Sequence, residues 1–441
     1  MTTAMQRSVD VSPSTMAALV LAIFTVSAGF GIVLPLLPDL IERLLGDGVG
    51  VTQVSRHTGL LTGIYTFSLF LFAPAWGRLS DHYNPRIVLL IGLFGFGATM
   101  LAFSFIESFI AVYAERFLNG MFASAVTPVA AAVIGELTIS EDLRCRRLAL
   151  LSMSGIAGFL LGPMLGVLIT RLATDFFTIG MPAGSLALPL AATALFAFVV
   201  AIIVACVVPE RATRNQPSKE RAGLVNSASR LIPKLLILSF IVSAGVGVFE
   251  VGLVLLGKQV LSLTPYQIAL MFTECSLVMF AIQGIIFFSP WVKPNTTRWF
   301  IVPAFGVLAL GLFVVPWASD FILMLVVIGA VAASAGILSP ILTYWISAKS
   351  GNAQGWELGK QTAAASLGVT VGSVTGGMFF NLAVPGTSFI FAAGLTVLGF
   401  LLSYGLPHTL LPRRNIGMKM DTEEKWTGEN TNSYLVKRKE K

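Results

Sequence analysis

The fold is decided by the stretch Gly77-Arg78-Leu79-Ser80-Asp81-His82-Tyr83-Asn84-Pro85-Arg86, a short polar segment between two long apolar runs. Its length predicts a tight turn between two helices that cross a membrane. Gly77 permits close helix approach, Asp81 can lie against the positive end of a neighbouring helix, and Arg86 can pair with an acid nearby. Asn84 tolerates a left-handed turn.

The composition around this stretch is that of a membrane protein. The chain has 441 residues, of which 55% are apolar and 12% are charged. A soluble domain carries about 25% charged residues, so this chain lacks the polar surface that a water-exposed globule of its size needs. The composition excludes a soluble enzyme, a disordered chain and a disulfide-stapled secreted module. The net charge of +7 lies in short segments between apolar runs, which argues against a nucleic-acid partner.

Twelve apolar runs are each long enough to cross a hydrocarbon layer about 30 Å thick. They predict an all-α membrane protein with two six-helix bundles related by a pseudo-two-fold axis. The predicted spans are 15–38, 57–76, 86–106, 108–134, 147–169, 185–208, 235–257, 266–290, 299–318, 321–347, 359–382 and 388–407.

The distribution of lysine and arginine predicts the topology. Most of the 29 basic residues fall into alternate loops and the two termini, as expected if both termini are cytoplasmic. The predicted organisation is a cytoplasmic N-terminus (1–14), an N-terminal bundle (15–208), a cytoplasmic linker (209–234), a C-terminal bundle (235–407) and a disordered cytoplasmic tail (408–441).

The two halves repeat each other at a nearly constant offset, which is typical of many transporter folds. The segment 27–31 (Ser-Ala-Gly-Phe-Gly) recurs as 243–247 (Ser-Ala-Gly-Val-Gly). Gly158, Gly162 and Gly166 in the fifth span recur as Gly368, Gly372 and Gly376 in the eleventh. We therefore expect an internal duplication.

Two spans carry helix-packing motifs. In the fifth span, Gly158, Gly162 and Gly166 make one smooth face, and Pro163 adds a bend. The first span contains a Gly-x-Gly step followed by two prolines, which predicts a thinned and kinkable helix that turns free carbonyl groups toward a cavity. These residues are Gly29, Gly31, Pro35 and Pro38.

Three ionisable residues inside the spans are candidates for a cavity or proton-coupling site. Arg116, Glu250 and Glu274 lie roughly 8–12 Å below the outer surface, at 1.5 Å per residue. Buried charges at such depth need a partner, water or a transported ion. Glu115 is expected to point about 100° away from Arg116 and to need a separate partner. For either glutamate, structural pairing is the alternative interpretation.

The stretch 77–86 resembles the signature loop of the major facilitator superfamily, although Asn84 and Pro85 replace a glycine and a basic residue of that pattern. In that family the loop latches the inner gate, which assigns Gly77, Arg78, Asp81 and Arg86 to the gate. Arg116 with Gly120 resembles a second motif of the family. The Gly158–Gly166 face with Pro163, and the first-span motif, resemble those of its twelve-span bacterial drug:proton antiporters. The family's first-span carboxylate is absent here.

The resemblance implies a secondary active transporter that exports a small amphipathic organic molecule in exchange for protons by alternating access. It implies no enzymatic activity, a functional monomer in the lipid bilayer, and location in a bacterial inner membrane. No cofactor is expected, and the three cysteines and three histidines lack metal-ligand spacing. Three alternatives remain: an uptake symporter or uniporter, a metal or cation carrier using Glu250 and Glu274, and a membrane sensor or scaffold.

Overall fold

The chain folds into helices throughout the part that the structure, a computed structural model, describes. The predicted N-terminus, linker and tail lie largely outside that part. The described residues are 11–46, 51–106, 108–138, 140–176, 187–210, 231–259, 261, 265–289, 294–318, 320–350, 354–378 and 386–410.

Fourteen α-helices lie within the described residues. The first seven are α1 (Pro13–Leu45), α2 (Val51–His82), α3 (Pro85–Phe103), α4 (Phe109–Ala123), α5 (Val126–Leu137), α6 (Glu141–Phe176) and α7 (Ala187–Val207). The second seven are α8 (Leu231–Gln259), α9 (Pro265–Phe288), α10 (Pro294–Val314), α11 (Phe321–Lys349), α12 (Gln354–Met378), α13 (Thr387–Ser403) and α14 (Leu406–Thr409).

Ten membrane-crossing segments meet the length and apolarity that a bilayer requires, within the described part of the chain. The remaining two predicted spans, 266–290 and 359–382, correspond to α9 and α12. The apolar part of α9 is short, Leu270–Ile286, and α12 is not among the ten. Large apolar side chains face outward, such as Ile110, which is 81% exposed, and Leu310, which is 63% exposed. Such an exterior suits lipid and not water.

Several helices extend beyond their predicted spans, among them α1 and α6, and two of the departures have identifiable reasons. The second span continues six residues past its predicted end at position 76, because Gly77–His82 forms the last turns of α2. The fourth span is divided into α4 and α5. Pro128 has no N–H that could bond to the carbonyl of Ser124. Just before it, Ala125 N bonds to Phe122 O, three residues back, and not to the residue four back as in a regular α-helix.

Glycine faces join α1 to α6 and α8 to α12. A Cβ atom on Gly158 would lie 2.6 Å from Phe24 O, and one on Gly31 would lie 2.6 Å from Phe159 O. The same contacts recur in the second half, where a Cβ on Gly368 would lie 2.5 Å from Phe240 O and one on Gly247 would lie 2.7 Å from Val369 O. Backbone therefore packs on backbone in both helix pairs.

Candidate functional site

The polar stretch 77–86 begins on the last turns of α2 and ends on the first turn of α3. Asn84 does not use the left-handed conformation that it could tolerate, because its backbone is extended with φ −66° and ψ 120°. Its side chain accepts a hydrogen bond of 3.1 Å from Arg86 N and so caps α3. Pro85 then occupies the first helical position, where a missing N–H costs nothing. We call the end of the molecule that holds this stretch the gate-loop end.

Asp81 joins the two halves of the chain at the gate-loop end. Its Oδ1 accepts a hydrogen bond of 2.8 Å from Gly355 N, and its Oδ2 accepts one of 2.8 Å from Trp356 N. Both donors lie in the first turn of α12, whose leading N–H groups have no partner within the helix. The carboxylate also faces the positive end of the helix dipole, which favours its charge.

Glycines allow α2 and α12 to meet at this point. A Cβ atom on Gly77 would overlap with the carbonyl oxygen of Gly355, and one on Gly359 would lie 2.5 Å from Ala73 O. Farther along the same contact, the hydroxyl groups of Thr66 and Thr370 are 3.0 Å apart. The two helices therefore touch from the gate-loop end to about the middle of α2.

The two arginines of the stretch make different contacts. The Arg78 guanidinium lies 5.7 Å from the centre of the Trp356 ring, on the α12 side of the contact. Arg86 donates a hydrogen bond of 3.0 Å to Glu210, just after the end of α7. The second contact stays within the first half of the chain.

A second connection between the halves, which the sequence did not reveal, lies at the start of α6. Tyr344 of α11 donates a short hydrogen bond to Glu141, and Arg146 donates one of 3.1 Å to Ser289 O at the end of α9. Arg146 thus meets the negative end of α9 as Asp81 meets the positive end of α12. An acid in the first turn of α6 was the available signal, but nothing in the spacing links it to Tyr344.

The glycine motif of the fifth span lies on α6 and faces α1. A Cβ atom on Gly162 would lie 2.6 Å from Ala28 O, whereas one on Gly166 would lie 3.5 Å from the Ile32 side chain, an ordinary contact. Gly29 faces the Phe96 ring, and a Cβ atom on Gly29 would lie 2.5 Å from that ring. Pro35, Pro38 and Pro163 fall within α1 and α6, and their side chains lie outside the described part.

The expectation that Glu115 cannot reach Arg116 is wrong. Arg116 Nε and one terminal nitrogen donate to the two oxygens of Glu115 at 2.7 and 3.0 Å, and both side chains are buried. Both side chains are long enough to bend across the 100° that separates them on the helix. At such burial the nearest opposite charge is strongly favoured. The guanidinium also lies 4.6 Å from the centre of the Phe103 ring.

Glu250 on α8 and Glu274 on α9 lie on neighbouring helices. The Cys275 thiol lies close enough to both carboxylates for their charges to act on it. The Glu250 side chain is exposed. Glu274 Oε1 lies 3.4 Å from the place of a Cβ on Gly329, while its Oε2 is buried without a hydrogen-bond partner in the described part. Arg116 does not pair with either glutamate within the described residues, contrary to the expectation that it would act on them.

The described residues contain no group of three or more His, Cys, Asp or Glu side chains that could hold a metal ion. Glu250 and Glu274 alone would offer a divalent cation too few ligands for tight binding.

Comparison with known proteins gives a consistent result. The sequence profile of the Major Facilitator Superfamily matches residues 19–356. The chain is 25% identical to Multidrug resistance protein 2 of Bacillus subtilis over 415 residues, which covers 92% of this chain and 97% of that protein. It is 22% identical to the Quinolone resistance protein NorA of Staphylococcus aureus over 383 residues, covering 86% and 93% of the two chains.

Two solved structures have the same fold. The human organic anion transporter MFSD10 (TETRAN) superimposes with a TM-score of 0.73 at 20% identity, over 89% of this chain and 100% of that one. The proton:xylose symporter XylE superimposes with a TM-score of 0.68 at 14% identity, over 89% and 96% of the chains.

Proposed function

The chain belongs to the major facilitator superfamily, and we propose that it exports a small amphipathic organic molecule in exchange for protons by alternating access. Membership makes it a multi-pass membrane transporter and not an enzyme. The observation that carries the proposal is the junction of Asp81 with α12, because it closes one end of the molecule with bonds that can be broken and remade.

We propose twelve spans in two six-helix bundles, 15–208 and 235–407, joined by the linker 209–234. The recurrence of the α1–α6 glycine contacts between α8 and α12 supports a pseudo-two-fold relation between the bundles. Alternating access then requires one bundle to rock against the other. In this state the gate-loop end is closed, so alternating access requires the opposite end to be the open one.

We assign proton coupling to Glu250, with Glu274 in a supporting role. Glu250 forms no ion pair or hydrogen bond within the described residues, and its side chain is exposed while the gate-loop end is closed. An unpaired carboxylate inside a membrane protein is costly unless it exchanges a proton or meets a cationic solute. One proton crossing 100 mV supplies about 2.3 kcal/mol and each pH unit adds about 1.4, which supports a solute gradient of several hundred-fold.

The substrate class follows from the same residues and from the relatives. Two unpaired glutamates, with Arg116 neutralised by Glu115, favour an amphipathic cation over an anion. The curated relatives are named for multidrug and quinolone resistance, in keeping with export of lipophilic compounds. We further propose that the protein works as a monomer in a bacterial inner membrane, with both termini cytoplasmic.

The test is transport into inverted membrane vesicles, with ethidium as a fluorescent amphipathic cation. Vesicles that contain the protein should accumulate the dye when their interior is made acidic, and a protonophore should abolish the accumulation. Accumulation that does not depend on the pH gradient would instead indicate a uniporter. Dye movement in the same direction as the protons would indicate a symporter. Movement of a divalent cation alone would indicate a metal carrier. Absence of transport in all of these assays would indicate a sensor or scaffold.

A further inference from the structure

A shallow groove of about 550 Å³ lies on the outer surface of the gate-loop end, between α2 and the start of α12. Its floor is apolar and consists of Leu71, Pro74, Ala75 and Leu79. These residues follow helical spacing, so they form one stripe along α2. The Leu71 side chain is 43% exposed, and Ala75 is exposed as well.

The polarity of the groove changes along the axis of α2. Arg78 lies seven residues beyond Leu71, which is about 10 Å at 1.5 Å per residue. His82 and Tyr83 follow at the end of the helix, and both are exposed. A cation and an aromatic ring at the end of a lipid-facing stripe are typical of the level of phospholipid headgroups.

The charge of Arg78 is available to a ligand in the groove. Within the described residues, its guanidinium contacts the Trp356 ring and makes no ion pair. The acids nearby are engaged elsewhere. Asp81 accepts hydrogen bonds from the backbone of α12, and Glu357 pairs with Lys360 at 2.8 Å.

We propose that this groove binds an anionic phospholipid, with the phosphate on Arg78 and one acyl chain along the apolar floor. A positive charge beside an apolar strip matches a lipid that carries a net negative charge. Such a lipid contacts α2 through Arg78 and α12 through the Trp356 ring. Because Trp356 N also donates to Asp81, the lipid stabilises the contact that closes the gate-loop end.

The test compares phosphatidylglycerol with phosphatidylcholine of the same acyl chains, added to the purified full chain in detergent. Bound lipid is counted by native mass spectrometry, and the melting temperature is recorded in parallel. The wild-type protein should prefer phosphatidylglycerol by about fivefold, since one basic residue near a lipid surface contributes about that factor. The measurement does not depend on transport, so the outcome separates this site from the proposed transport function.

Three variants locate the site. Arg78→Gln should remove the preference for phosphatidylglycerol. Ala75→Trp should weaken the binding of both lipids, because the large side chain would occupy the apolar floor of the groove. Lys349→Gln is the matched control, because Lys349 lies 5.8 Å from the centre of the Trp345 ring, which is buried and outside the groove. Equal binding of the two lipids to the wild-type protein, or an unchanged preference in Arg78→Gln, would overturn the proposal. So would equal stabilisation by inorganic phosphate, which would assign the groove to a free anion.

Discussion

Asp81 and Gly355 lie 274 positions apart in the chain, yet a carboxylate oxygen of Asp81 accepts a hydrogen bond of 2.8 Å from Gly355 N. The other oxygen accepts from Trp356 N. One side chain of the first half thus satisfies two unpaired N–H groups of the second half. The junction exists only while the gate-loop end is closed.

Asp81→Asn should slow transport by about tenfold, because hydrogen bonds to a charged group contribute about 1.5–3 kcal/mol and the amide keeps a single acceptor oxygen. Insertion and substrate affinity should stay near wild type, since the change affects switching between access states. Dye transport and equilibrium dye binding measure the two effects separately. Asp320→Asn is the control, because Asp320 caps its own helix α11 through Ile322 N and Leu323 N. Wild-type turnover in Asp81→Asn would refute a gating role.

Tyr344→Phe should weaken the closed gate-loop end, because it removes the hydrogen bond from Tyr344 to Glu141 and leaves the ring in place. Loss of a hydrogen bond to a charged group again costs about 1.5–3 kcal/mol. Labelling of cysteines introduced at the gate-loop end measures the opening and should increase. Tyr113→Phe is the matched control, since Tyr113 bonds to His57 within one half. Equal labelling in both variants would show that the connection does not hold the halves together.

Gly162→Ala should destabilise the fold by about 1–3 kcal/mol, because the new methyl group would lie 2.6 Å from Ala28 O and the two backbones must separate. Gly166→Ala should be tolerated, since its methyl group would meet the flexible Ile32 side chain at 3.5 Å. Thermal unfolding in detergent compares the two variants. Equal melting temperatures would disprove the close packing of α1 on α6.

Glu115→Gln should lower stability by about 3–5 kcal/mol, because it leaves Arg116 buried without a counter-charge. The double variant Glu115→Gln/Arg116→Gln should be more stable than Glu115→Gln alone, since it contains no unpaired charge. Folded yield and melting temperature of the variants form a double-mutant cycle. A coupling energy near zero would mean that the pair contributes nothing.

Glu250→Gln should abolish the dependence of dye export on the pH gradient while dye binding persists, because the amide cannot exchange a proton. Glu274→Gln should have a smaller effect, since its carboxylate is packed against α11 near Gly329. Asp142→Asn removes an exposed carboxylate outside the cavity and serves as the control. Unchanged pH-driven export in both single variants and in their double variant would exclude the two glutamates as coupling groups.

The sequence predicted the fold because its evidence is local and repeated. Each apolar run identifies a helix without reference to any other, and the recurrence of residues 27–31 at 243–247 is accompanied by glycine contacts that recur between α8 and α12. The ends of helices were less predictable. The polar residues Ser80 and Asp81 suggested a loop, but contact with α12 keeps them helical.

Contacts between distant residues were the least predictable part of the site. The sequence singled out Asp81 but could not name Gly355 and Trp356 as its partners, and it missed Glu141 and Tyr344 altogether. The error at Glu115 has a different cause. Helical geometry fixes the directions of the Cβ atoms, whereas the reach of a long side chain is decided by its surroundings.

The hydrogen bonds that Asp81 makes to α12 have a consequence for how readily the gate reopens. The groups released are a carboxylate and two amide N–H groups, and water can solvate all of them as soon as the helices part. Part of the closing contact beneath them is made by Gly77, Gly355 and Gly359, which present backbone and no side chain to the opposite helix. For these polar groups, opening is therefore a hydration event, in which water takes the place of the partners that the two helices release.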